Sequence, residues 1–190
     1  MSGYLKSRAL ILWLTGLSGS GKSTLANKLR EVLEVAGETV VPVDGDAFRR
    51  ERSRSNVFTR EGIIGNNYEI IDHCRKLSET TDVILVSVIS PFRETRDVAR
   101  RAFGGRYCEI FVTCGMETLV RRDTKGLYAA ALSGKKKNLI GLSEELPYEP
   151  PLNPELTLKT DEISVEAAVE IIKKFLQRRL EQEAIGVGRN

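Results

Sequence analysis

The sequence predicts an α/β fold in three layers, with helices on both faces of a mostly parallel sheet and a basic lid segment over one edge. Two observations carry this. Short apolar runs alternate with amphipathic stretches along the whole chain, and a glycine-rich loop joins the first apolar run to the first amphipathic one. A third observation supports them: polar residues follow several of the apolar runs, where open parallel sheets bind their ligands. At 190 residues, 41% hydrophobic and 29% charged, the chain has the size and composition of one soluble domain, 1–190.

The elements follow in order. Leu10–Thr15 is a continuous apolar run of buried-strand type. Lys22–Ala36 repeats leucines at helical spacing (Leu25, Leu29, Leu33). Thr39–Val43 is a weaker strand, because Pro42 cannot donate to a sheet ladder. A helix is expected at about Arg60–Thr80, a strand at Val83–Ile89, a helix at Arg93–Phe103, a strand at Tyr107–Thr113 and a short helix at Met116–Arg121. The stretch at about 123–154 is rich in Gly, Lys, Pro and Leu without a strong period. It is too long for a plain connection and is expected to be a functional lid. A short strand, Leu156–Lys159, precedes a C-terminal helix at about 164–182, periodic over Val165–Arg179, and a tail at 186–190 expected to fray.

The loop reads Gly16-Leu17-Ser18-Gly19-Ser20-Gly21-Lys22-Ser23-Thr24 and satisfies the phosphate-loop pattern G-x-x-x-x-G-K-[ST]. Its strand–loop–helix setting is the one this pattern requires, which makes the fold that of a P-loop NTPase. Glycines let backbone N–H groups turn inward, and the helix N-terminus adds partial positive charge. Lys22 can reach the outer phosphates, and the Ser23 hydroxyl can ligate Mg²⁺. The expected nucleotide contacts are therefore Gly16, Ser18, Gly19, Ser20, Gly21, Lys22, Ser23 and Thr24, with ATP and Mg²⁺ as the bound species. Arg122 is expected on the ATP adenine, since a guanidinium stacks on a flat ring.

Other classes are disfavoured. No Asn-Lys-x-Asp element selects guanine, and the chain is short for a motor or helicase. A net charge of +3 argues for neither nucleic acid nor membrane as a partner, while an anionic small-molecule substrate is compatible with it. No apolar run approaches the ~20 residues that span a bilayer. Residues 1–8 lack a signal-peptide core, and the cysteines Cys74, Cys108 and Cys114 are an odd, unpaired set. A cytoplasmic location is expected from these features. His73 stands without a partner cluster and reads as structural.

Further landmarks follow the loop: Asp44-Gly45-Asp46, Ile89-Ser90-Pro91-Phe92-Arg93, Arg122-Asp123-Thr124-Lys125-Gly126-Leu127-Tyr128, Lys137-Asn138 and Asn153-Pro154-Glu155-Leu156. In this order and spacing, from about Leu10 to Thr160, the chain resembles the adenylylsulfate kinases. The resemblance implies a MgATP-dependent kinase acting on the 3′-hydroxyl of adenosine 5′-phosphosulfate, in a setting of sulfate activation, and is compatible with a homodimer. Among the residues, it favours Asp46 as the group that holds a Mg²⁺-bound water or accepts the proton of the attacking hydroxyl, with Asp44 beside it. It also labels Ser90 as a phosphoserine. No histidine or other base stands near Ser90 in sequence, and in-line transfer between two bound nucleotides needs no intermediate. Positioning of substrate by Ser90, Phe92 and Arg93 is the expectation instead. Lys125 and Asn138 are expected lid contacts.

The acceptor half departs from the family pattern. Asp46 is followed by Ala47-Phe48-Arg49, so the expected arginine survives as Arg49 while an asparagine is lost. Phe58 and Asn66 align with the family. Ile63 stands where an arginine is usual, Tyr68-Glu69 replaces an arginine pair, and Leu139 replaces the phenylalanine that pairs with the one at Phe58 to sandwich the acceptor adenine. Losing a bidentate arginine removes charge-assisted bonds to an anionic acceptor, and losing a stacking ring costs ~1–3 kcal/mol. Arg60, or the basic run Arg49, Arg50, Arg52 and Arg54, can supply charge in its place. Two readings follow within the family: an adenylylsulfate kinase with a re-routed acceptor site, or a kinase that phosphorylates a different nucleotide or small hydroxyl compound. A third reading is a non-catalytic ATP-binding regulatory protein, against which stand the intact Lys22, Ser23, Asp46 and lid elements.

Overall fold

The computed structural model describes residues 9–51 and 59–187. Its elements are strands β1 (Leu10–Thr15), β2 (Val40–Asp44), β3 (Val83–Ser87), β4 (Tyr107–Thr113) and β5 (Leu156–Lys159). The helices are α1 (Lys22–Val35), α2 (Gly45–Glu51), α3 (Arg60–Leu77), α4 (Arg93–Phe103), α5 (Met116–Arg122), α6 (Leu127–Leu132) and α7 (Val165–Val187). The strands form one sheet in the order β2-β3-β1-β4-β5, and every pairing is parallel.

β1 is central, and all six of its residues are buried. Alternation divides them between two cores. Leu10, Leu12 and Leu14 pack with Leu25 and Leu29 of α1 and Val169 and Ile172 of α7. Ile11 and Trp13 pack on the other face with Ile70 and Ile71 of α3 and Ala99 and Phe103 of α4. Pro42 is accommodated because β2 is an edge strand, where its missing N–H costs no ladder bond. Cys74 and Cys108 are buried in these cores, and burial pushes their thiols up to about 12 and about 11. His73 lies against Phe48, ring centroids 5.4 Å apart.

The structure differs from the sequence expectation at four places. β3 stops at Ser87 rather than Ile89, because Ser90 turns the chain with φ at 43°. Asp44-Gly45-Asp46, for which the sequence offers no element, starts a helix: Asp44 Oδ1 accepts the N–H of Asp46 (3.0 Å) and Ala47 (3.1 Å), capping α2. The lid contains α6, nucleated by the Asp123 carboxylate on the N–H groups of Tyr128 (3.0 Å) and Ala129 (2.8 Å). Finally, α7 runs to Val187, into the segment expected to fray, and residues 188–190 lie outside the described ones. Among the described residues no helix is long and apolar enough to cross a membrane.

Candidate active site

The phosphate loop leaves β1 at Gly16, where a Cβ would stand 2.0 Å from the Val112 carbonyl oxygen, so only glycine fits. Gly19 (φ 78°) and Gly21 (φ 98°) take left-handed conformations, and Gly21 caps α1. The first turn of α1 carries no acidic side chain of its own, so its positive end is left for an anion to meet. Lys22 is buried and donates from Nζ to the Leu17 carbonyl at 2.7 Å. Burial, and then the charge of Lys125, push its ammonium down to about 7, against the pull of Asp46 and Asp44.

Three oxygens meet beside the loop. Ser23 Oγ donates to Asp44 Oδ2 at 2.9 Å and lies 3.2 Å from Ser87 Oγ. β2–β3 register pairs Asp44 with Ser87, so the sheet itself brings the two together. This all-oxygen set with one carboxylate fits Mg²⁺. Ser87 had no motif to mark it; its signal is only its place at a strand's carboxyl end. Among the described residues no cluster of three His, Cys, Asp or Glu side chains forms.

Asp46, in the first turn of α2, pairs with Arg49 on its own helix and with Lys125 from the lid. Burial would raise its carboxyl, but the Lys125 hydrogen bond and the Arg49 and Lys125 charges outweigh this and hold it below the usual value. A cavity of about 320 Å³ runs from this cluster across the phosphate loop. Its far end is lined by Leu25, Arg122, Thr160, Ile163, Val165 and Ala168. Arg122 donates to Thr160 Oγ1 (3.0 Å) and Thr160 O (2.7 Å), and Thr160 Oγ1 donates to Ser20 O at 2.8 Å. That part of the lining is largely apolar and edged by a guanidinium, which suits a nucleobase. The lid is tied to the loop as well: the buried Tyr128 donates from its hydroxyl to Ser18 O at 2.8 Å.

The family model for adenylylsulphate kinase matches residues 8–159. The chain belongs to the adenylylsulphate kinase family. It is 41% identical over 169 residues to an adenylyl-sulfate kinase of Chloroflexus aurantiacus, covering 89% of each chain. It is 40% identical over 183 residues to the bifunctional enzyme NodQ of a Rhizobium species, covering 96% of this chain but 29% of NodQ's length. Among solved structures it is similar to the Mycobacterium tuberculosis APS kinase CysC in complex with AMPPNP and APS. The TM-score is 0.83 at 30% identity, with 90% of this chain and 99% of that one covered.

Not every residue that the family pattern singles out lines the cavity of this family member. Gly19, Gly21, Ser18, Lys22, Ser23, Thr24, Asp44, Asp46, Arg49, Arg122 and Lys125 do. Gly16 and Ser20 lie behind them, Ser20 buried. Ser90 does not: it is 2% exposed, its hydroxyl donates to Asn67 Oδ1, and it accepts the Trp13 Nε1–H at 3.2 Å. A hydroxyl so enclosed is not presented to a phosphate. Phe92 is fully buried with Ile63, Ile140 and Leu146. Arg93 does not reach the cavity but donates from Nε to Pro150 O at 2.8 Å. Asn66 is half-buried on α3 outside the cavity, whereas its neighbour Asn67 is buried, holding Ser90 and donating to Ile63 O at 2.7 Å. Asn138 is half-buried and likewise outside the cavity. Leu139, expected at the acceptor ring, packs instead with Leu119 and Tyr128. Arg60 stands over the Phe92 ring (4.2 Å) and pairs with Glu94 at 2.6 Å. Phe58, with Arg52 and Arg54, lies outside the described residues.

Proposed function

We propose that this chain transfers the γ-phosphoryl group of ATP to the 3′-hydroxyl of adenosine 5′-phosphosulfate, giving 3′-phosphoadenosine 5′-phosphosulfate and ADP. The observation that carries the reading is the carboxylate of Asp46, set between Arg49 and Lys125 at one end of a cavity whose centre is an intact phosphate loop. The cavity end at Arg122 and Ala168 takes the ATP base, and the loop amides with Lys22 take the β- and γ-phosphates. The acceptor hydroxyl enters beside Asp46. A bond forms from its oxygen to the γ-phosphorus as the bond from that phosphorus to the β–γ bridging oxygen breaks. The hydroxyl proton passes to the Asp46 carboxylate, and ADP leaves. Arg49 and Lys125 then face the charge spread over the transferring group. Ser23, Asp44 and Ser87, with Asp46 nearby, would hold Mg²⁺, which would supply neutralisation of the phosphate charge. Ser90 acts by position, holding Asn67 and the turn after β3, without a phosphoserine. A cytoplasmic setting fits the need for ATP.

The test is ADP release from ATP with and without adenosine 5′-phosphosulfate, with the product identified by mass. Acceptor-dependent release with a 3′-phosphorylated product is expected. ADP release that ignores this acceptor, in protein that still binds ATP, overturns it. One observation favours a second reading, a different hydroxyl acceptor: Ile63, at the position of a family arginine, is packed in an apolar cluster with Phe92, Ile140 and Leu146. The same assay with other nucleotides and small hydroxyl compounds decides between the two.

A further inference from the structure

The turn after β3 and the far end of the lid meet on one buried guanidinium. Arg96 of α4 is 2% exposed. Its Nη1 donates to the carbonyl of Ser90. Its Nη2 donates to the carbonyl of Glu149 at 2.6 Å, and its Nε faces Glu109 Oε1 of β4 at 2.6 Å. One planar cation thus holds three oxygens from three segments far apart in sequence. Two amides close the same seam: Glu149 N–H donates to Pro91 O at 2.8 Å, and Arg93 N–H to Glu149 Oε2 at 2.8 Å. Tyr148, the residue before, lies under Arg96 (5.8 Å) and shares a 3.0 Å hydrogen bond with Thr15.

Ser90 gives the arrangement a purpose. Among the described residues it is the one non-glycine in the left-handed region, at φ 43°. A serine stays there only where its surroundings over-determine it. Its side chain is fixed by Asn67 and Trp13, and its carbonyl by Arg96. Ile89, next to it, lines the same cavity as Asp46. Among the described residues, the hydrogen bonds and ion pair of Arg96 go to Ser90, Glu149 and Glu109, not directly to the phosphate loop or the base end of the cavity.

We propose that Arg96 is a positioning residue that binds the Ser90 turn and the lid's return at Glu149 into one unit, presetting the acceptor side of the cavity and leaving the donor side alone. The assignment of that side to the acceptor rests on the proposed function. A lysine cannot replace Arg96, because a point charge on a flexible stem cannot hold three oxygens in one plane.

The experiment uses the full chain as Arg96→Lys, with Ile172→Ala as a control that weakens the opposite core, where Ile172 is fully buried. In Arg96→Lys, KM for adenosine 5′-phosphosulfate should rise about tenfold or more while KM for ATP stays within about twofold. Hydrogen exchange of the Glu149 and Arg93 amides should quicken beyond what the control shows at an equal loss of Tm. Equal rises in both KM values overturn the proposal, as does exchange no faster than in the control. If Arg96→Lys does not fold, Glu109→Gln keeps the shape, removes the charge that anchors Arg96, and should give the same pattern more weakly. Its absence there overturns the proposal. If the wild-type protein ignores this acceptor, the proposed function fails by itself. The two amides and the KM for ATP in basal hydrolysis then decide on Arg96 alone.

Discussion

The phosphate loop and the side of the cavity around Asp46, the donor and acceptor sides of the proposed reaction, are built on different physical plans. The phosphate loop is one contiguous stretch, Gly16–Leu25, whose functional groups are mostly backbone N–H donors fixed by glycine conformations and a helix start. The acceptor half joins α2, the turn after β3, α3 and the lid through side chains 23 to 79 residues apart, such as Ser90 with Asn67 and Asp46 with Lys125. A backbone cradle tolerates little variation and keeps its motif. A side-chain assembly can be rebuilt one residue at a time, and the family departures at Ile63 and Tyr68 both fall on α3, one of the elements it joins.

The largest effect that tests this division comes from Asp46. Asp46→Asn should lower acceptor-dependent turnover by about 10²–10⁴-fold, the usual range for a lost general base, while ATP affinity changes little. Single-turnover kinetics and calorimetric titration read the two. A variant with wild-type transfer removes Asp46 from the chemistry and leaves the acceptor half without its central group.

A smaller effect isolates the donor half. In the empty protein Lys22 loses its proton as pH rises through about 7. Bound phosphates favour the ammonium, so its value in the complex is higher. Between the two values ATP binding must take up a proton, and affinity should fall by up to about tenfold per pH unit as pH rises. Calorimetry at pH 8 in buffers of different ionisation enthalpy measures that uptake. Lys22→Met should bind ATP more weakly and show none. Equal proton counts in the two proteins would mean that Lys22 is already charged when empty.

The smallest effect concerns Ser90. Ser90→Ala leaves Asn67 Oδ1 and Trp13 Nε1 without this partner, at a cost of about 1–3 kcal/mol in urea unfolding. Ser90→Gly loses the same bonds but relieves the left-handed backbone, recovering about 1 kcal/mol. Turnover in both should stay within about tenfold of wild type, as a positioning role requires. Abolished transfer in folded Ser90→Ala would return the serine to the chemistry.

Much of the molecule was legible because its determinants are local. The apolar run Leu10–Thr15, the glycines of the loop and the leucine spacing of α1 each act within a few residues, and the structure gives β1 and the start of α1 where the pattern puts them. The helix at Asp44 was legible in principle, since Asp followed by free N–H groups is a cap, but Asp-Gly is equally a turn. What sequence could not rank is which polar residues share a cavity. Asn67 rather than Asn66 meets Ser90 because a helix turns 100° per residue and only one of two neighbours faces the sheet. Leu139 is core because Leu119 and Tyr128 cover it.

The sequence by itself determined the P-loop α/β fold, the triphosphate cradle and the family, since each rests on short-range backbone geometry and on motif order. Only the tertiary structure decided that Ser87 joins Ser23 and Asp44, that Thr160 braces Arg122, that Ser90 faces inward and that Arg96 ties the turn to the lid. Those contacts span from 6 to 77 residues and come from the register of parallel strands and the path of the lid, which no local pattern encodes.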